Sequence, residues 1–148
     1  MFIKLGNHKD VHYPVGSNIE AADSLATAMV KAIESFYKTP INLICQGSSG
    51  AILAALVGSK LKNMNKIIHI KKEGESSHCN GDVEFISSKD TNIIIDDFIS
   101  SGDTVNRLYE QFKKKYDHVL HCLCVSRHIS KDKLSFKHYY VFIGDTIA

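Results

Sequence analysis

The chain has 148 residues, 44% of them hydrophobic and 23% charged, with a formal net charge of +2, which is ordinary globular composition with room for one compact domain spanning 1–148. So small a charge excess argues against a dedicated nucleic-acid binder, which needs a clustered basic face to displace counterions from phosphates. No apolar run of about twenty residues, charged-then-apolar leader or Asn-x-Ser/Thr sequon occurs, so a soluble, cytoplasmic protein without nucleic-acid or membrane partners is expected.

The stretch from Phe2 to Gly16, FIKLGNHKDVHYPVG, has no sustained period, and short strands or hairpins flanking the core are expected there. Ser17 and Glu20 then show the S-x-x-E spacing in which a serine oxygen caps helix amides and the glutamate bonds back. A helix is predicted to start at that point. Ile19, Ala22, Ala26, Met29, Ile33 and Phe36 recur at threes and fours, forming one apolar stripe that Thr39-Pro40 ends. Such a stripe is core.

From Ile41 the pattern changes to INLIC, QGSSG, AILAALVGSKL and KIIHI. Strand, glycine turn, helix and strand make a βαβ unit, which implies a parallel sheet with a right-handed crossover. Ile70 to Gly81, IKKEGESSHCNG, breaks the periodicity and is too long for a tight turn; long loops in compact domains are often lids. A second unit repeats the plan: NIIID as strand, FISSG as turn, TVNRLYEQFKKKY as helix and HVLHCLCV as strand. Val105, Leu108, Phe112 and Tyr116 share one helix face, and Lys113 to Lys115 close the helix where cations complement its carbonyl end. The stretch from Ser126 to Gly144 is again without period, and short strands are expected.

Cys45, Cys79, Cys122 and Cys124 form no C-x-x-C pair, and all but Cys79 lie in apolar runs where free cysteine packs. The alternating HCLC would put both thiols on one strand face, but without a second ligand pair no zinc site is expected.

Two adjacent carboxylates, Asp96 and Asp97, end a run of isoleucines, where charge is expensive. In open α/β sheets ligands bind beyond the carboxyl ends of the strands, where loops converge and helix amino termini point inward. Ser100, Ser101, Gly102, Asp103 and Thr104 follow, and a small hydroxyl-rich loop at a helix amino terminus suits a phosphate. Carboxylates beside a phosphate cradle suggest a ligand bearing both hydroxyls and phosphate, such as a ribose 5-phosphate. A strand end with solvated acids and Asp103 as helix cap is the plainer alternative.

Apolar residues, two acids, two further residues and a Ser-Gly-Thr loop, from Ile93 to Thr104, resemble the signature of type I phosphoribosyltransferases, which bind 5-phosphoribosyl 1-diphosphate (PRPP). The resemblance implies an α/β fold, a parallel sheet flanked by helices with a small hood from the chain termini. It implies that Asp96 and Asp97 hold the ribose hydroxyls, touching Mg2+ directly or indirectly, while Ser100 to Thr104 wrap the 5-phosphate. Gln46, Gly47, Ser48, Ser49 and Gly50 match in position the family's pyrophosphate loop. Lys71-Lys72-Glu73 and His78 follow the order of the mobile loop of orotate phosphoribosyltransferases. That loop departs from the pattern in two places: a lysine expected between the glutamate and the histidine is absent, and glycine comes at Gly81 rather than directly after His78.

The function so implied is Mg2+-dependent transfer of ribose 5-phosphate from PRPP to a nucleobase, with release of pyrophosphate. Ser100 stands where the 6-oxopurine branch carries its aspartate base, so an orotate-like pyrimidine is the expected acceptor. The resemblance also leaves a homodimer open. A non-catalytic module of the same fold, sensing PRPP or a nucleotide, is the alternative that the missing loop lysine favours.

Overall fold

The computed structural model describes residues 2–5, 19–72, 86–99, 103–126 and 140–144. In chain order these form β1 (Phe2–Leu5), α1 (Ile19–Phe36), β2 (Ile41–Cys45), α2 (Gly47–Lys60), β3 (Met64–His69), β4 (Thr91–Ile99), α3 (Asp103–Lys115), β5 (Leu120–Ser126) and β6 (Tyr140–Gly144). The strands make one sheet in the order β1-β6-β5-β4-β2-β3, and every pairing is parallel.

Strand alternation explains why the central strands are apolar at most positions, with Asn42 and Asn92 as exceptions near their starts. Successive side chains point to opposite faces, so a strand covered on both sides must be apolar on both. Ile41, Leu43 and Cys45 of β2 and Ile93 and Ile95 of β4 pack with α1 and α2. Ile44 and Ile94, one residue out of phase, pack with Val105, Leu108 and Phe112 of α3 on the other face. Burying each such side chain contributes about 1.5–3 kcal/mol, so these two apolar layers supply much of the drive to fold.

The expected stripes hold in the middle of the helices and fail at the ends of α1. Ala22, Ala26, Met29 and Ile33 are buried, joined by Leu25 and Val30, whereas Ile19 and Phe36 are 60% and 44% exposed. These two lie in the terminal turns, and the core contact covers only the turns between them. Lys113 to Lys115 do close α3. The start expected at Ser17 lies outside the described residues.

Two boundaries differ from expectation. Gly47 to Gly50, expected as a turn, are the first turn of α2. Gly47, at φ +74°, bends the chain from the extended Gln46 straight into helix, so no separate loop is needed. Strand β4, expected to stop at Asp96, continues to Ile99 because it stays paired with β5 beyond the reach of β2. The short strands expected at the two ends are β1 and β6, paired with each other in parallel and extending the sheet beyond β5. The expected hood would draw on residues 6–18, 127–139 and 145–148, which lie outside the described residues.

The sheet's amino edge carries a polar network. Asn42 Nδ2 donates to Asn92 Oδ1 at 3.0 Å and Asp90 Oδ2 at 3.1 Å, and Asn65 Nδ2 donates to Asn42 Oδ1 at 2.9 Å. Asn92 Nδ2 continues it to the Val119 carbonyl at 3.2 Å. These bonds tie β2, β3 and β4 to the approach of β5. Asn42 and Asn92 are fully buried, so Asn42→Ala strands several donors and acceptors at once. A loss of about 2–3 kcal/mol in urea unfolding is expected; a loss under about 0.5 kcal/mol would mean that the network adds nothing.

One topological feature decides where a ligand fits. From β2 the chain passes through α2 on one face to β3 at one edge; from β4 it passes through α3 on the other face toward β5 and β6. The strand order therefore reverses between the neighbours β2 and β4. Loops at the carboxyl ends of such a pair diverge to opposite faces and leave a crevice between them.

Candidate functional site

Gln46 and Gly47 leave β2 at one wall of this crevice, and Asp96 and Asp97 occupy β4 at the other. The last β2–β4 partners are Ile44 and Ile94, after which the two strands separate.

On the β2 side, α2 begins with an open amino end. Its N-cap residue, Gln46, makes no side-chain cap, so the first-turn amides are not satisfied by that residue. Such amides, with the positive end of the helix dipole, suit an anion. Gly47 is needed at φ +74°, and a Cβ built on it would stand 3.9 Å from Lys72 Nζ. An ammonium group thus lies beside the positive end of a helix, an arrangement that an anion between them would stabilise. The backbone brings it there: the Ile70 N–H donates to the Cys45 carbonyl at 2.9 Å, tying the start of the long loop to the end of β2. Ser48 is exposed and Ser49 half-buried. Gly50 packs its backbone on β4, where a Cβ would sit 3.5 Å from the Ile95 carbonyl.

On the β4 side the acids sit in a bulge. Ile95 pairs with Leu123 and Phe98 with Val125, so Asp96 and Asp97 together face one β5 residue, Cys124. Regular alternation would send adjacent carboxylates to opposite faces of the sheet. A bulge suspends that alternation, and bulges are over-represented beside active sites. Asp96 is buried; the Asp97 side chain, with Ser100, Ser101 and Gly102, lies outside the described residues. Asp103 is exposed in the first turn of α3 and Thr104 is half-buried behind it. Of the loop residues, Lys71 and Lys72 are described, and Glu73 and His78 are not.

Cys45, beneath the crevice, is a free buried thiol. Burial, with the nearby Asp96 charge adding to it, pushes its pKa from 9.0 up to about 11. The thiol is therefore packing rather than a nucleophile. Site-resolved alkylation at about pH 8 should leave Cys45 unmodified in the folded protein and modify it in urea. Because the folded-state value is the higher one, the group's stabilising contribution is complete below pH 9.0 and is lost as pH rises through about 11.

Two polar residues of the site were not singled out from the sequence. Arg107 Nε donates to Gln46 Oε1 at 3.0 Å, and Gln46 Nε2 donates to Gln111 Oε1 at 2.9 Å. The Gln46 side chain therefore turns under α3, and what this residue presents to the crevice is its backbone. The only sequence signal was a polar pair four apart beside the apolar face of α3.

No protein-family model and no curated protein sequence matches the chain. Solved structures do. The xanthine-guanine-hypoxanthine phosphoribosyltransferase of Helicobacter pylori is 15% identical, with a TM-score of 0.60 over 97% of this chain and 87% of its own. The adenine phosphoribosyltransferase of Trypanosoma brucei, solved with AMP, pyrophosphate and ribose 5-phosphate, is 10% identical, with a TM-score of 0.62 over 90% and 69%. A hypothetical protein of Neisseria gonorrhoeae with bound ppGpp is 14% identical, with a TM-score of 0.62 over 85% and 81%. At such identities the shared property is the fold.

Proposed function

We propose that this chain, which has the fold of the type I phosphoribosyltransferases, transfers ribose 5-phosphate from PRPP to a nucleobase and releases pyrophosphate. The observation that carries the reading is the meeting, at the one reversal of strand order, of an uncapped helix start with Lys72 beside it and a bulged acid pair across the crevice. Phosphate, hydroxyl and pyrophosphate are the groups such a set can hold together.

In this reading the amides of Gly47 to Gly50 and the Lys72 ammonium receive the pyrophosphate. Asp96 and Asp97 accept hydrogen bonds from the ribose hydroxyls, and Ser100 to Thr104 enclose the 5-phosphate at the start of α3. The base nitrogen attacks C1 of the ribose as the bond to pyrophosphate breaks, and the electron pair leaves on the pyrophosphate oxygen. The protein's part is alignment and stabilisation of the departing charge. Closure of the Ile70 to Gly81 loop over the pyrophosphate, with His78 carried toward it, would exclude water from a cation-like sugar.

Mg2+ suits the donor set. Among the described residues no three His, Cys, Asp or Glu side chains gather to hold an ion, yet Asp96 offers hard oxygen beside the place where substrate oxygens would supply the rest. With Asp96 and Asp97 as its protein partners, direct or through water, the ion would neutralise charge on the pyrophosphate.

The acceptor is proposed as a nucleobase. An orotate-like pyrimidine, expected from Ser100 and the loop order, has no counterpart among the similar enzymes named above, which are purine enzymes. Purines therefore join orotate and uracil in the first screen. Pyrophosphate release is measured with PRPP, Mg2+ and each base in turn; release with none of them would end the catalytic reading. A second reading, a nucleotide-sensing module, is supported by the missing loop lysine and by the ppGpp bound to the gonococcal protein. Binding of PRPP or ppGpp without turnover on any base would favour it. No helix among the described residues is long and apolar enough to cross a membrane.

A further inference from the structure

We propose that Gln46 and Gln111 are positioning residues that, anchored by Arg107, fix the Lys71 backbone and so hold the Lys72 ammonium over the start of α2, preforming the pyrophosphate end of the site. The inference rests on the function proposed above and assigns to it side chains that act through the Lys71 backbone.

The four groups form one directed chain. Arg107 Nε donates to Gln46 Oε1 at 3.0 Å, Gln46 Nε2 to Gln111 Oε1 at 2.9 Å, and Gln111 Nε2 to the Lys71 carbonyl at 3.1 Å. Both ends fix the direction. A guanidinium only donates and a carbonyl only accepts, so each carboxamide between them has one productive orientation. Gln46 is 4% exposed, and a carboxamide that deeply buried keeps its partners because losing them is costly. The chain links the end of β2, the body of α3 and the second residue of the long loop. Lys71 and its successor Lys72 are thereby held at two backbone points: the Lys71 carbonyl by α3, and the preceding Ile70 N–H by Cys45 at 2.9 Å. Lys72 Nζ reaches the α2 start from that anchored base, 3.9 Å from where a Gly47 Cβ would stand.

The polarity of the chain supplies the test. In Gln111→Glu the new carboxylate still accepts from Gln46 but turns an oxygen toward the Lys71 carbonyl, removing the donor without changing side-chain size. In Gln46→Glu the carboxylate keeps Arg107, while Gln111 must swing its amide to Glu and present oxygen to Lys71. Both variants release the same carbonyl by different routes. Gln111 is only half-buried, so its variant should fold even if the Gln46 variant does not.

Binding of inorganic pyrophosphate with Mg2+, and separately of ribose 5-phosphate, is measured by calorimetry on the full chain. Expected is a loss of about five- to tenfold in pyrophosphate affinity for each folded variant, with ribose 5-phosphate affinity within about twofold of the parent. Unchanged pyrophosphate affinity in Gln111→Glu, or equal losses for both ligands, would overturn the positioning role while leaving the proposed function standing. A parent protein that binds neither ligand would overturn both.

Discussion

Asp96→Asn lowers the affinity for PRPP at least about tenfold, and Asp97→Asn does the same, while both variants keep the fold. Each substitution replaces a carboxylate acceptor by a neutral amide of the same size, and a hydrogen bond to a charged group contributes about 1.5–3 kcal/mol. Asp96 is buried at a point where the β4–β5 ladder is already broken, and an asparagine of the same size fills its place, so the fold is expected to survive the change. Calorimetric titration reads the loss, and thermal unfolding shows that the fold survives. Unchanged affinity in both variants would remove the acid pair from the site.

Lys72→Ala slows turnover by about 10- to 100-fold while weakening PRPP binding by less than about threefold. The ammonium lies beside the open start of α2, where, in the proposed reaction, negative charge would grow only as pyrophosphate departs. An interaction made mainly in the transition state appears in kcat, one made equally in ground and transition states in KM. Pre-steady-state pyrophosphate release, together with equilibrium binding, separates the two. A variant that merely binds PRPP more weakly, with kcat intact, would make Lys72 a plain binding residue.

What the sequence disclosed about this molecule was local in the chain. INLIC and NIIID read as strands because apolar runs bounded by turn residues have few other fates, and the 3.6 period of α3 placed Val105, Leu108 and Phe112 on its buried face. Adjacent acids before a Ser-Gly-Thr loop drew attention to the same short stretch that the fold sets at the reversal of strand order.

What it withheld depends on which strands become neighbours. The bulge at Asp96 and Asp97 exists only against β5, whose register no pattern within β4 specifies. Isolated asparagines in INLIC and TNIII are a puzzle until β2 and β4 lie side by side and Asn42 meets Asn92. The partnership of Gln46 with Arg107 and Gln111 joins the end of β2 to α3 across some sixty positions in sequence. Pairing of β1 with β6 joins the two ends of the chain, where weak periodicity left both segments open. The start of α2 was misjudged for a different reason: glycine and serine signal a turn, and the single positive φ at Gly47 lets them serve as helix instead.

The central claim is that the crevice between β2 and β4 holds PRPP. Isothermal titration of the full chain with PRPP and Mg2+, run beside the Asp96→Asn/Asp97→Asn double variant, tests it most directly. Saturable one-site binding by the parent, abolished in a double variant that still unfolds cooperatively, is the predicted result. A parent that takes up no PRPP, or a double variant that binds it as the parent does, would contradict the claim.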